Sequence, residues 1–131
     1  ELRTKAGLPD NPAWTKVYEQ LAPLPVKNGY YEQWENADSM WTKLNFEHPA
    51  LLGIYGLLPG DGVDPEIMQA TFEKVMECWK WDTGWGWDFP MAAMAAARLG
   101  KPEPAASCFA QKQIRQPRLC RRWQPVSLFP G

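Results

Sequence analysis

Residues 78–103, "CWKWDTGWGWDFPMAAMAAARLGKPE", decide how this chain is read. They pass from the end of one helical pattern, through a cluster of tryptophans, into an alanine- and methionine-rich stretch that Gly100 stops. Lys101-Pro102 then opens the next pattern. Between Trp79 and Pro90 stand Trp79, Trp81, Trp85 and Trp87, with Phe89, Asp82, Asp88, Gly84 and Gly86 among them. Such a cluster is more often core than ligand site. Periodicity divides it. Met68, Phe72, Val75, Met76 and Trp79 recur at three- and four-residue steps, so Trp79 reads as core. Trp85, Gly86, Trp87 and Asp88 fall in the loop ahead of the next helix, and they read as a site.

The same punctuation recurs outward from this stretch. Asn11-Pro12, His48-Pro49 and Asp64-Pro65 each set a proline where a helix begins, a position where its missing N–H has no partner to lose. Asn11 and Asp64 are also good N-caps. The pattern predicts helices over Pro12–Ala22, Pro49–Leu58, Pro65–Trp79, Pro90–Leu99 and Pro102–Ala110. Trp14, Val17, Tyr18 and Leu21 form the stripe of the first, and Pro49–Leu58 is apolar enough to be buried on most sides. Met68, Met76, Met91 and Met94 are assigned to the core. No stretch alternates convincingly as a strand, although Gly29–Trp34 can run extended. The fold class is therefore all-α: helical hairpins joined by short turns and by aromatic, acidic loops, the pattern of an incomplete α/α toroid. Four or five helices do not close such a ring. With no initiator methionine and no signal sequence, a processed start or a piece of a longer protein is expected.

A length of 131 residues suits one domain, and 45% hydrophobic residues exclude a disordered chain. The formal net charge of −1 hides an asymmetry. Residues 1–110, read as the toroid segment, hold all 15 acids and nine of the 14 bases, a balance of about −6. Residues 111–131 hold Lys112, Arg115, Arg118, Arg121 and Arg122 and no acid. This irregular basic tail would ordinarily suggest a nucleic-acid arm. Read back into codons and shifted in frame, however, Gln111–Pro125 permits more protein-like text, with Lys-Asn-Lys-Tyr, Tyr-Val-Val and Gly-Asn. The tail is therefore read as frame-shifted sequence, and neither a nucleic-acid nor a membrane partner is expected. Cys78, Cys108 and Cys120 lack metal or disulfide spacing, His48 is the single histidine, and no apolar run reaches membrane-spanning length. No metal and no cofactor are expected.

Three stretches set polar groups on aromatic ground: residues 30–41, "YYEQWENADSMW"; residues 45–49, "NFEHP"; and the tryptophan loop. Sugars present C–H faces that stack on rings and hydroxyls that bind carboxylates, so carbohydrate is the expected partner. Hydrolysis of a glycosidic bond needs two carboxyl groups, one with a raised pKa. Glu35, beside Trp34, is the candidate acid, and Asp88, between Trp87 and Phe89, the candidate base. Trp34, Trp41, His48, Trp85 and Trp87 are the candidate substrate-binding residues. Plainer roles stand beside these: a helix cap for Asp88, a solvated loop acid for Glu35, a capping or structural histidine for His48.

"APLPVKNGYY" (residues 22–31), "NFEHPALLGIYGLLPGDGVD" (45–64) and "CWKWDTGWGWDFPMAAMAAARLGKPE" together resemble the late catalytic region of bacterial six-hairpin glycosidase-like proteins. The resemblance implies an α/α toroid with a sugar cleft at one mouth, metal-free hydrolysis by carboxylic acids, and a periplasmic or secreted setting. It also implies that Trp85, Trp87 and Asp88 face that cleft, with Glu35 and His48 in loops at the same mouth. Two other readings remain. A polysaccharide lyase would need cations to neutralise a uronate, which the acidic body argues against. A non-catalytic carbohydrate-binding or structural fragment would keep the aromatic floor alone.

Overall fold

The computed structural model describes residues 2–110; the readings made on residues 111–131 lie outside them. The described chain is mostly helical, with a single two-stranded sheet. Its helices are α1 (Leu2–Lys5), α2 (Pro12–Glu19), α3 (Gly53–Gly56), α4 (Pro65–Cys78), α5 (Asp88–Arg98) and α6 (Pro102–Ala110). The strands β1 (Val26–Lys27) and β2 (Tyr30–Tyr31) pair antiparallel, Val26 opposite Tyr31. Asn28 and Gly29, both at positive φ, turn the chain between them.

The expected caps operate. Asn11 Oδ1 accepts the Ala13 N–H at 3.0 Å, and Asp64 Oδ1 accepts from Glu66 at 2.8 Å and Ile67 at 3.3 Å. Helix α4 is the central element. Met68, Phe72 and Val75 are buried on it, and Trp79, just past its end, joins the same core as expected. Strand β2 docks on α4 through Thr71, whose hydroxyl accepts the Tyr31 N–H at 2.9 Å and donates to the Ile67 carbonyl at 2.7 Å. The Tyr31 hydroxyl in turn accepts the Asp64 N–H at 2.8 Å, so the hairpin and the start of α4 move together.

Helix α5 packs against α6 and α3. Ala92, Ala93, Ala95 and Ala96 let those neighbours come close, and Gly100, at φ +69°, reverses the chain into α6. Cys108 is buried in this hairpin, and that burial pushes its thiol up to about 11, which makes it a core group rather than a nucleophile.

Several expectations are corrected. Residues 49–58 do not form one buried helix. They make a 3₁₀ turn at Ala50–Leu52 followed by the single turn of α3, and Leu57 and Leu58 are exposed. Glycines 53 and 56 disfavour a long helix, and Gly56 is needed for contact: a Cβ there would lie 2.6 Å from the Met91 carbonyl oxygen. Arg98 then closes the turn, donating to the carbonyls of Leu58 at 2.7 Å and Pro59 at 2.5 Å while its guanidinium covers the Tyr55 ring. Helix α2 ends at Glu19 and buries none of its residues; Trp14, Val17, Tyr18 and Leu21 are exposed. Met94 is exposed as well, beside an apolar groove of about 280 Å³ between α5 and α6. Helix α5 starts at Asp88 rather than Pro90, since proline is tolerated anywhere in a first turn.

Because backbone lies directly against Gly56, Gly56→Ala is expected to cost about 1–3 kcal/mol and lower the thermal midpoint. Gly86→Ala, with open space around the added Cβ, is the matched control and is expected to melt within about 0.5 kcal/mol of the parent.

Candidate functional site

The candidate site is built where residues 45–48 are fastened to residues 78–88. Asn45 Nδ2 donates to the Cys78 carbonyl at 2.6 Å, and the Asn45 carbonyl accepts the Lys80 N–H at 2.8 Å. The Trp79 indole donates to the Glu47 carbonyl at 2.5 Å, and the Thr83 hydroxyl donates to the Phe46 carbonyl at 3.2 Å. These bonds form a seam between two loops that are distant in sequence. His48 stands at its end.

The His48 Nδ1 lies 3.1 Å from Asp88 Oδ1 and 3.3 Å from Oδ2. An ionised carboxylate only accepts hydrogen bonds, so the imidazole proton on this side sits on Nδ1. In the neutral ring that leaves Nε2 as an acceptor, and Nε2 has no partner among the described residues. The Asp88 side chain is 1% exposed, whereas that of His48 is 31% exposed. Asp88 is the first residue of α5, where the positive end of the helix favours an anion. Its Oδ2 also accepts the Trp85 N–H at 2.7 Å, which ties the loop back onto the helix start.

Two tryptophans flank the imidazole. The Trp87 ring lies 4.5 Å from it, tilted by 37°, and the Trp85 ring 5.0 Å away, edge-on at 79°. Both are open to solvent, Trp85 at 64% and Trp87 at 45%. Exposed indoles held at fixed angles around a polar ring form an aromatic face, and solvent-exposed apolar clusters are candidate interaction sites more often than scattered surface residues are.

The structure thus brings Asp88, His48, Trp85 and Trp87 together. It does not make Asp88 a solvent-facing base: its carboxyl is buried and both its oxygens are engaged, by His48 and the Trp85 N–H. Nor is Asp88 the helix cap, a position held by Trp87. Glu35 lies exposed in the turn after β2, with no hydrogen bond among the described residues. Trp34, beside it, is exposed too. Trp41 is placed elsewhere, half-buried edge-on against Tyr30 at 5.8 Å and Trp79 at 6.2 Å, with the Lys74 ammonium 4.9 Å from its ring. Those contacts make Trp41 a packing residue.

Sequence reading missed the residues that assemble the face. Gln33 Nε2 donates to the His48 carbonyl at 2.6 Å, fixing the turn after β2 to the site. Asn45 and Thr83 stitch the loops. Short polar side chains bonding to backbone carry no spacing signature, and only the fold identifies them.

Among the described residues no group of three or more His, Cys, Asp or Glu is arranged to hold a metal ion, and no helix is long and apolar enough to cross a membrane. No protein-family profile matches the chain, and no curated protein or solved structure matches it either.

Asp88→Ala strands the Trp85 N–H and the His48 Nδ1–H, so it is expected to lower stability by about 1–3 kcal/mol in urea denaturation. Asp88→Asn keeps one amide oxygen for the Trp85 N–H, while its NH₂ faces His48 Nδ1, so it is expected to cost less than Asp88→Ala through the Trp85 bond alone. Equal losses would show that the contacts of Asp88 are not what its burial serves.

Proposed function

We propose that the face around His48 holds carbohydrate, and that the chain is a glycoside hydrolase-like segment of an α/α toroid that acts on glycosidic bonds without a metal. The observation that carries this reading is the His48 imidazole, fixed by buried Asp88 between two exposed tryptophans. A pyranose needs an apolar plate for its C–H face and directional partners for its hydroxyls. Trp85 and Trp87 supply plates. Nε2 of His48 supplies an acceptor whose orientation Asp88 sets, in the way a carboxylate fixes a histidine at a metal or catalytic centre.

For hydrolysis, Glu35 and Asp88 take unequal parts. Glu35, exposed on the turn that Gln33 fastens to the His48 carbonyl, is the acid free to meet a glycosidic oxygen. Asp88 is a positioning residue: it holds His48 so that Nε2 can accept a proton from an attacking water. A second reading, carbohydrate binding without turnover, is favoured by the burial of Asp88, which leaves only one of the two carboxyl groups open to a substrate.

Both readings are separated by assaying a panel of aryl glycosides while following sugar binding through tryptophan fluorescence. The glycosidase reading predicts turnover in the parent that falls about 10²–10⁴-fold in Glu35→Gln and comparably in His48→Ala, with binding retained in Glu35→Gln. Binding without turnover in the parent would establish the second reading. A parent that neither binds nor cleaves would overturn both.

A further inference from the structure

We infer that the carbohydrate held at this face is an oligosaccharide rather than a single sugar, with one unit at Trp85 and Trp87 and the next stacked on Trp34 beside Glu35; this rests on the reading of the His48 face as a sugar site. The inference comes from how residues 32–38 are held. Gln33 fastens this turn to the His48 backbone through its 2.6 Å bond to the carbonyl. The buried Glu32 carboxylate accepts the Ala37 N–H at 3.3 Å across the turn, and Asn36 reverses the chain at φ +58°. Asp38 pairs with the Lys27 ammonium on β1, and that hydrogen bond raises the Lys27 pKa. The turn is therefore fixed at both ends and at its middle.

Trp34 stands on that fixed turn, next in sequence to Gln33, whose side chain is the strut to the His48 carbonyl. It is 45% exposed, and among the described residues its indole has neither a ring partner nor a hydrogen bond. The contrast with its relatives is informative. Trp41 and Trp79 meet edge-to-face, and Trp81 lies 5.6 Å from Phe89 against the core. Among the described residues beyond 21, the exposed aromatics Trp34, Phe46, Trp85 and Trp87 all lie on the three stitched loops, Phe109 being the exception. An unpartnered indole on a preorganised turn gives a second sugar a plate without an ordering cost at binding. The adjacent Glu35 carboxyl gives its hydroxyls a hydrogen-bonding partner, since a carboxylic acid keeps an acceptor oxygen beside its O–H.

The test is a fluorescence titration of the parent, Trp34→Ala and Trp85→Ala with a glycan panel holding mono-, di- and trisaccharides of glucose, galactose, mannose, xylose and fucose. The expected parent binds di- and trisaccharides of one series about tenfold more tightly than its monosaccharide. Trp34→Ala is expected to lose that gain and keep the monosaccharide affinity, whereas Trp85→Ala weakens every length. A Trp34→Ala protein that retains the full length dependence would overturn the second unit while leaving the sugar site standing. A parent that binds no member of the panel would overturn the sugar site and this inference together.

Discussion

The seam between residues 45–48 and residues 78–88 is the constraint on which the rest of the site depends. Residues 45–48 lie outside any helix or strand, and residues 78–88 link α4 to α5 with only the short 3₁₀ turn Trp81–Thr83 between them. Their backbone groups are satisfied by one another and by Asn45, Thr83 and the Trp79 indole. Unsatisfied, such buried groups would each cost about 1–3 kcal/mol. The core makes the seam possible, because Trp79 is both the last buried residue of the α4 stripe and a donor across the seam. Packing and polar satisfaction are thus joined in one side chain.

From that seam the functional geometry follows. It delivers His48 to the first turn of α5, where Asp88 is buried and its carboxylate is matched by the helix N-terminus. Asp88 in turn holds the Trp85 N–H, so the tryptophan loop cannot drift from the imidazole. Gln33 adds the third loop through the His48 backbone carbonyl. A single histidine is therefore the meeting point of three loops. Rigid placement on such a support is what a site for a weakly interacting, hydroxyl-rich ligand requires.

Much of this was legible in the sequence where the signal is local. The proline starts of α2, α4 and α6, the caps at Asn11 and Asp64 and the α4 stripe ending in Trp79 depend on neighbours within a few residues, and they stand as read. Periodicity also separates buried Trp79 from exposed Trp85 and Trp87, whereas Asp88, read with their loop, is the buried first residue of α5. What could not be read depends on tertiary approach. Gly56 looked like part of an apolar helix because its purpose, contact with the Met91 backbone, lies 35 residues away. His48 and Asp88 were each named, but their pairing spans 40 positions and no spacing rule announces it. Trp41 and Trp34 share a composition, and only their surroundings distinguish a packed ring from an open one. The apolar stripe of α2 was periodic as expected, yet none of its side chains is buried. Periodicity reveals a face and does not say what covers it. The ring closure of a toroid rests on resemblance alone.

The coupling between His48 and Asp88 is the quantity on which the site stands. A double-mutant cycle with His48→Ala, Asp88→Ala and the paired variant, read by urea denaturation, measures it directly. A hydrogen bond to a carboxylate, made where one partner is 1% exposed, predicts a coupling of about 1.5–3 kcal/mol. A coupling near zero, with the two single losses simply adding, would contradict a held imidazole and with it the aromatic face built around it.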